Sequence, residues 1–148
     1  MNLSQLYEKD FYQWTVETGN LLRTNNLSHL DTEHLLEEIE SMSARERQQL
    51  KNRLAVLIMH LLKWQYQPTM QSRSWDLTIF HQRQEIKSLL EDSPSLQSEH
   101  YINSILEKAY KKAVEGAIKE TGFIQNPFPN TLPYSFEQIL NTDFYPSN

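Results

Sequence analysis

Apolar residues recur along this chain at steps of three and four, the period of a helix with one buried face. Between Ser4 and Arg23, the residues Tyr7, Phe11, Trp14, Leu21 and Leu22 share one side and predict a first helix of that extent. Gly19 lies inside the pattern and weakens its last turn. Asp31 stands where an N-cap belongs, with Glu33 in the following turn, where a carboxylate complements the helix dipole. The helix it opens carries Leu35, Leu36, Ile39 and Met42 on one side. Ser43-Ala44-Arg45-Glu46 then has capping-box spacing, which marks either a new helix or a kink in one long helix.

The strongest pattern runs from there to about Gln67. Leu50, Leu54, Leu57, Leu61 and Trp64 alternate steps of four and three, and Ile58 and Leu62 widen the stripe, so this helix is expected to have neighbours on more than one side. Pro68 ends it by removing a backbone donor and clashing with the preceding turn. Ser72 or Ser74 can cap a fourth helix with the stripe Trp75, Ile79, Gln82, Ile86 and Leu89. Ser93-Pro94 predicts the cap and first position of a fifth, which carries Ile102, Ile105, Leu106, Ala109, Ala113 and Ala117 and closes at Gly122. Beyond Gly122, prolines interleave with Phe123, Ile124, Phe128, Leu132 and Tyr134, predicting an extended strap and a short helix near Ser135 to Leu140. The expectation is an all-α fold: a single domain over 1–148, with a bundle of about five main helices to residue 122 and a Pro-rich strap with a short final helix over 123–148.

Length and composition agree with this. A chain of 148 residues can bury a core of its own, and three glycines leave little material for a sheet with tight turns. Glu8 and Asp10 stand where a secretory signal needs a basic end and an unbroken apolar stretch, so none is expected. Leu54 to Met59, the longest apolar run, is far short of the ~20 residues that span a bilayer. The chain has no cysteine, which excludes thiolate chemistry and suits a reducing compartment. A cytoplasmic protein with no membrane attachment is expected. The net charge of −5 is unevenly placed, with net −6 over residues 1–44, +5 over 45–87 and −4 over 88–148. The basic block raises nucleic-acid binding, but no reader motif accompanies it and an overall acidic chain disfavours a polyanion.

Chemistry could reside in a few polar groups on or beside the apolar stripes. His60 is the one ionisable residue inside LAVLIMHLL, and a helical bundle can gather such inward groups into a metal or acid–base site. Candidate metal ligands are His34, Glu38, His60 and His81, with His34 and Glu38 four apart on one helix face. Candidate catalytic groups are Glu38, His60, Lys63 and Arg83. The competing reading is structural: a core-edge His60 bonded to a carboxylate and fixing helix register, and a partly buried Glu38 that needs one of the cations Arg53, Lys63, Arg73 and Arg83. In that reading Arg83 and Gln82 are hydrogen-bonded on their shared side of the fourth helix, and Glu37 is solvated. No HExxH motif, glycine-rich phosphate loop or nucleophile elbow occurs, and no cofactor is expected. The link WQYQPTMQSRSW gathers Trp64, Arg73 and Trp75, residue types that dominate interface hot spots. Arg73 is a candidate to stack on Trp64 or Trp75, an attraction of ~0.5–2 kcal/mol.

Taken together, LLEEIESM, HLLKWQYQP, RSW, EDSPSL and PYSFEQIL, in this order and spacing, resemble the family catalogued as domain of unknown function 29, over roughly residues 5–146. That family is abundant in cyanobacteria, and the resemblance implies a cyanobacterial source and an α-helical domain with no established activity, substrate or cofactor. It carries over no catalytic residue. Glu37, Glu38, His60, Lys63, Trp64, Arg73 and Trp75 fall in the stretches typical of the family, whereas Ser43 stands where its members often have glycine. The leading functional expectation is a non-catalytic interaction or scaffold domain that presents the 64–75 link to a protein partner or a second copy. The alternative is a small helical-bundle enzyme, metal-assisted or not, built on His60 with Glu38. Whether the chain is an enzyme is left open at this stage.

Overall fold

The computed structural model describes residues 1–148 and contains six α-helices and no strand. They are α1 (Leu3–Lys9), α2 (Phe11–Arg23), α3 (Thr32–Tyr66), α4 (Arg73–Asp92), α5 (Glu99–Thr121) and α6 (Phe136–Leu140). The all-α expectation holds, with two differences in detail. The first predicted helix is two, because Asp10 leaves helical geometry at φ −152° and ψ 80°. Its carboxylate accepts from the Gln13 backbone N–H at 3.1 Å, so one residue ends α1 and caps α2. An aspartate that bonds its own backbone in this way competes with the helix it sits in. The fifth helix starts later than Ser93-Pro94 suggests. Pro94–Gln97 forms a short 3-10 turn, and α5 begins after Ser98.

The open question at Ser43 resolves to a single helix. Ser43 donates its hydroxyl to the Ile39 carbonyl one turn back, at 3.3 Å, instead of capping a new N-terminus, and α3 runs unbroken for 35 residues. Asp31 opens that helix as expected, accepting from the His34 backbone N–H at 3.3 Å. Ser72, not Ser74, caps α4, and Gly122 closes α5 at φ 73°, a left-handed turn open to glycine at little steric cost. Ser135 and Gln138 form the reciprocal capping box that starts α6.

By its contacts the chain divides into two compact units, Met1–Glu46 and Arg47–Asn148. The first holds α1, α2 and the start of α3, and buries just two side chains, Trp14 and Thr18. The second has a continuous core. Leu50, Leu54, Leu57, Ile58, Leu61 and Leu62 of α3 are fully buried there, with Ile79 and Ile86 of α4. On α5 the buried Ala109, Ala113 and Ala117 allow close packing, and a β-carbon at Gly116 would lie 2.8 Å from the Met59 sulfur. Phe128, Tyr134 and Ile139 bring the strap and α6 into the same core. No helix is long and apolar enough to cross a membrane.

Candidate functional site

In the second unit the link between α3 and α4 is covered by the chain's own C-terminal residues. Trp64 meets the ring of Tyr145 at 5.0 Å, and Tyr145 donates its hydroxyl to Asp76. Gln65 is held from two sides: Tyr134 donates to its Oε1 at 2.7 Å, while Asn148 accepts from its Nε2 and donates to its carbonyl. Gln71 reaches back to the Trp64 carbonyl at 3.0 Å. The cation over Trp75 is Lys63, with Nζ 4.7 Å from the ring centroid and 3.4 Å from the Glu120 carboxylate. Arg73, the stacking candidate by sequence, is exposed at the first position of α4. Lys63 reaches the ring because it lies on the buried side of α3, where its stem packs and its charge needs both a π-face and a carboxylate.

Arg83 is the most buried charge in the chain and lies on the inner face of α4, the position that the periodicity gives to Gln82. Its Nε donates to the Ile139 carbonyl at 2.8 Å and its Nη2 to the Phe144 carbonyl at 2.7 Å, with the guanidinium 5.4 Å from the Tyr145 ring centroid. Burial pulls its pKa below the ordinary value, while Tyr145, Asp143 and Asp76 pull the other way. The same burial, with the Asp76 hydrogen bond, raises the Tyr145 hydroxyl. The geometry makes Arg83 a clamp on the C-terminal segment. Gln82 instead accepts from Arg53 at 3.5 Å.

Among the remaining sequence candidates, His60 lies within electrostatic reach of Lys63 and Glu120. His60 donates Nδ1–H to the Val56 carbonyl at 2.8 Å, and burial lowers its pKa, so its neutral form is favoured. His81 is exposed beside the Phe80 ring. Glu38 belongs to the first unit and accepts from the Tyr7 hydroxyl at 2.6 Å. That bond pushes the Tyr7 pKa up to about 12. No three His, Asp or Glu side chains gather as ligands for one ion.

The first unit contains a polar and aromatic cluster around Asp31 and His34. Asp31 binds His34 Nδ1 at 2.6 Å and accepts from the Trp14 indole at 3.2 Å. The His34 ring stacks on Tyr7 at 4.0 Å, and Phe11 and Trp14 stack at 5.7 Å. The Asp31 hydrogen bond raises the His34 pKa against a smaller effect of burial. Burial pushes the Asp31 carboxyl up, but the bonds from the His34 ring, its backbone N–H and Trp14 outweigh it and hold the pKa down. Ser4 Oγ also approaches His34, at 3.5 Å, but on the same Nδ1 that Asp31 holds. A histidine that activates a serine needs its carboxylate and serine on opposite ring nitrogens, so the cluster lacks the relay geometry. Its visible signal in the sequence was the aromatic spacing of Tyr7, Phe11 and Trp14.

Above this cluster, α3 carries an uncovered apolar row. Leu36, Ile39 and Met42 are 57, 50 and 49% exposed, and every residue from Ser41 to Gln49 is exposed. An open groove of about 910 Å³ also runs between α5 and the strap in the second unit, lined by Tyr110, Lys111, Val114, Asn126 and Pro129 among others. Its most buried polar group, the Tyr110 hydroxyl, is engaged by the Pro129 carbonyl at 2.6 Å.

An all-helical chain whose second unit is a bundle joined in its core by the strap and α6 is thereby defined. A family model described as Domain of unknown function DUF29 matches residues 6–145, and the chain belongs to that family. No curated protein and no solved structure shows a significant match to it.

Proposed function

We propose that this protein is a non-catalytic interaction domain whose docking surface is the apolar row Leu36, Ile39 and Met42 on α3. Its occupant is a helical protein segment that presents an apolar face. The observation behind this reading is the exposure of that row in a unit that buries just two side chains of its own. A helix face with apolar residues on one side gains its stability by being covered, since helices this thinly supported are marginal in water. The site moves from the 64–75 link, where Trp64 and Trp75 are half-buried against the chain's own residues, to the start of α3. The polar candidates support the same reading: His60, Lys63 and Arg83 each have a partner within the fold. A cytoplasmic setting is part of the proposal, in keeping with a chain free of cysteine.

The test is a photo-crosslinking residue in place of Ile39 in the full chain, activated in cells. The expected product is an adduct with one protein, identified by its peptides and lost when Leu36→Glu and Met42→Glu are added. No adduct at 39, or equal labelling from an exposed position such as Glu91, would remove the reading.

A further inference from the structure

We infer that His34 is a proton-operated latch, which holds α1 and α2 on the start of α3 more firmly when its ring is charged. Every contact involved lies within the first unit. From α1, Ser4 Oγ lies 3.5 Å from His34 Nδ1, and the Tyr7 ring stacks on the imidazole at 4.0 Å. From α2, the Trp14 indole donates to Asp31, whose carboxylate holds His34 Nδ1 at 2.6 Å. Tyr7 also donates to Glu38, one turn further along α3. The Asp31–His34 pair is thus where α1, α2 and α3 meet, in a unit that buries just two side chains. So thin a core leaves the attachment of the helices to these contacts, and a unit of that kind opens locally with less free energy than a continuous core requires.

Charge decides how firm the attachment is. The charges that reach the ring are Asp31, Glu37 and Glu33, all negative, and Tyr7 stays a neutral phenol because its pKa is pushed up to about 12. His34–Asp31 is the one ion pair of the first unit, and residues 1–44 carry net −6. Protonation turns a bond between a neutral ring and a carboxylate into an ion pair, sets a cation on the face of Tyr7 and offsets one surplus carboxylate. The N-terminal end of α3 disfavours a cation in its first turn, but the Asp31 hydrogen bond and the surrounding carboxylates outweigh it. No atom has to move, since the neutral ring can also donate Nδ1–H to Asp31. The grip is complete below pH 6.5 and loosens as pH rises through the raised value of His34.

Hydrogen exchange of the full chain by mass spectrometry, from about pH 6 to 8.5, reads the latch once each rate is divided by that of an unstructured chain at the same pH. Protection in α1 and α2 is expected to fall several-fold across that range, with the midpoint of the His34 ring, while protection in α4 and α5 holds. Asp31→Asn keeps an N-cap on α3 and removes the charge, so its protection should be flat over the range. His34→Gln should be flat as well, whereas His29→Gln, at an exposed histidine, should keep the wild-type profile. The latch is overturned if wild-type protection in α1 and α2 does not change with pH, or if the fall persists in His34→Gln. It is equally overturned if α4 and α5 lose protection in the same measure.

Discussion

Arg83 on α4 donates to the carbonyl of Ile139, 56 residues further along the chain, at 2.8 Å, and the same guanidinium reaches Phe144 at 2.7 Å. One buried cation thus satisfies the carbonyls of residues 139 and 144. Without it, those carbonyls and the space the side chain fills would be left uncompensated.

Arg83→Ala is therefore expected to destabilise the protein by about 3–5 kcal/mol, the cost of removing one side of a buried charged network. Arg83→Lys should recover a minor part, since a point charge cannot span two carbonyls as a planar fork does. Chemical denaturation gives the magnitude, and hydrogen exchange should show residues 139–146 opening first. Stability within about 0.5 kcal/mol of wild type would contradict the clamp.

The histidines are expected to respond to pH in opposite senses. His34 is raised above 6.5 by Asp31, so its contribution is complete below pH 6.5 and fades as pH rises through the raised value. Asp31 is lowered below 3.8, so its contribution is present above that value and is lost as pH falls through the lowered one. The pair should be strongest between roughly pH 4 and 6.5. His60, lowered from 6.5 by burial, instead costs stability as pH falls below 6.5, because the unfolded chain takes up the proton more readily. Histidine ring titrations by NMR should place the His34 midpoint above 6.5 and that of His60 below. Asp31→Asn should bring His34 down and leave His60 where it was.

Lys63 and Trp75 are expected to be coupled. A double-mutant cycle with Lys63→Met and Trp75→Leu should give an interaction of about 0.5–2 kcal/mol, the range for a cation on an aromatic face away from water. Arg73→Met should show no comparable coupling with Trp75. Coupling through Arg73 instead would reverse the assignment.

Two leucines of α3 should behave as opposites. Leu57 is fully buried, and Leu57→Ala is expected to cost about 2–5 kcal/mol through lost burial and a cavity. Leu36 is 57% exposed, and Leu36→Ala should change the stability of the isolated chain by less than about 0.5 kcal/mol. Thermal melts at low protein concentration separate the two.

Much of the fold was legible because its signals are local. The Leu50–Leu61 spacing, Pro68, Gly122 and Ser135 each act within a turn of where they stand. Asp10 was missed because its capping bond competes with an apolar pattern that runs straight through it. Ser43 could be read two ways because a hydroxyl can cap forward or bond backward, and here it bonds backward to Ile39. The candidate site was less legible. Periodicity shows that Leu36, Ile39 and Met42 share a side, but not whether anything within the chain covers it. Nor does spacing reveal that Arg83 answers to Ile139, or Trp64 to Tyr145, since those contacts join residues more than fifty apart. Lys63 outdid Arg73 for the ring of Trp75 because it faces inward, a matter of burial and not of neighbourhood in the sequence.

The central claim is that the exposed residues Leu36, Ile39 and Met42 on α3 form a docking surface, and photo-crosslinking from position 39 of the full chain in cells tests it most directly. An adduct with one identified protein is expected, lost when Leu36→Glu and Met42→Glu are added. No adduct at 39, or equal labelling from an exposed position such as Glu91, would contradict the account.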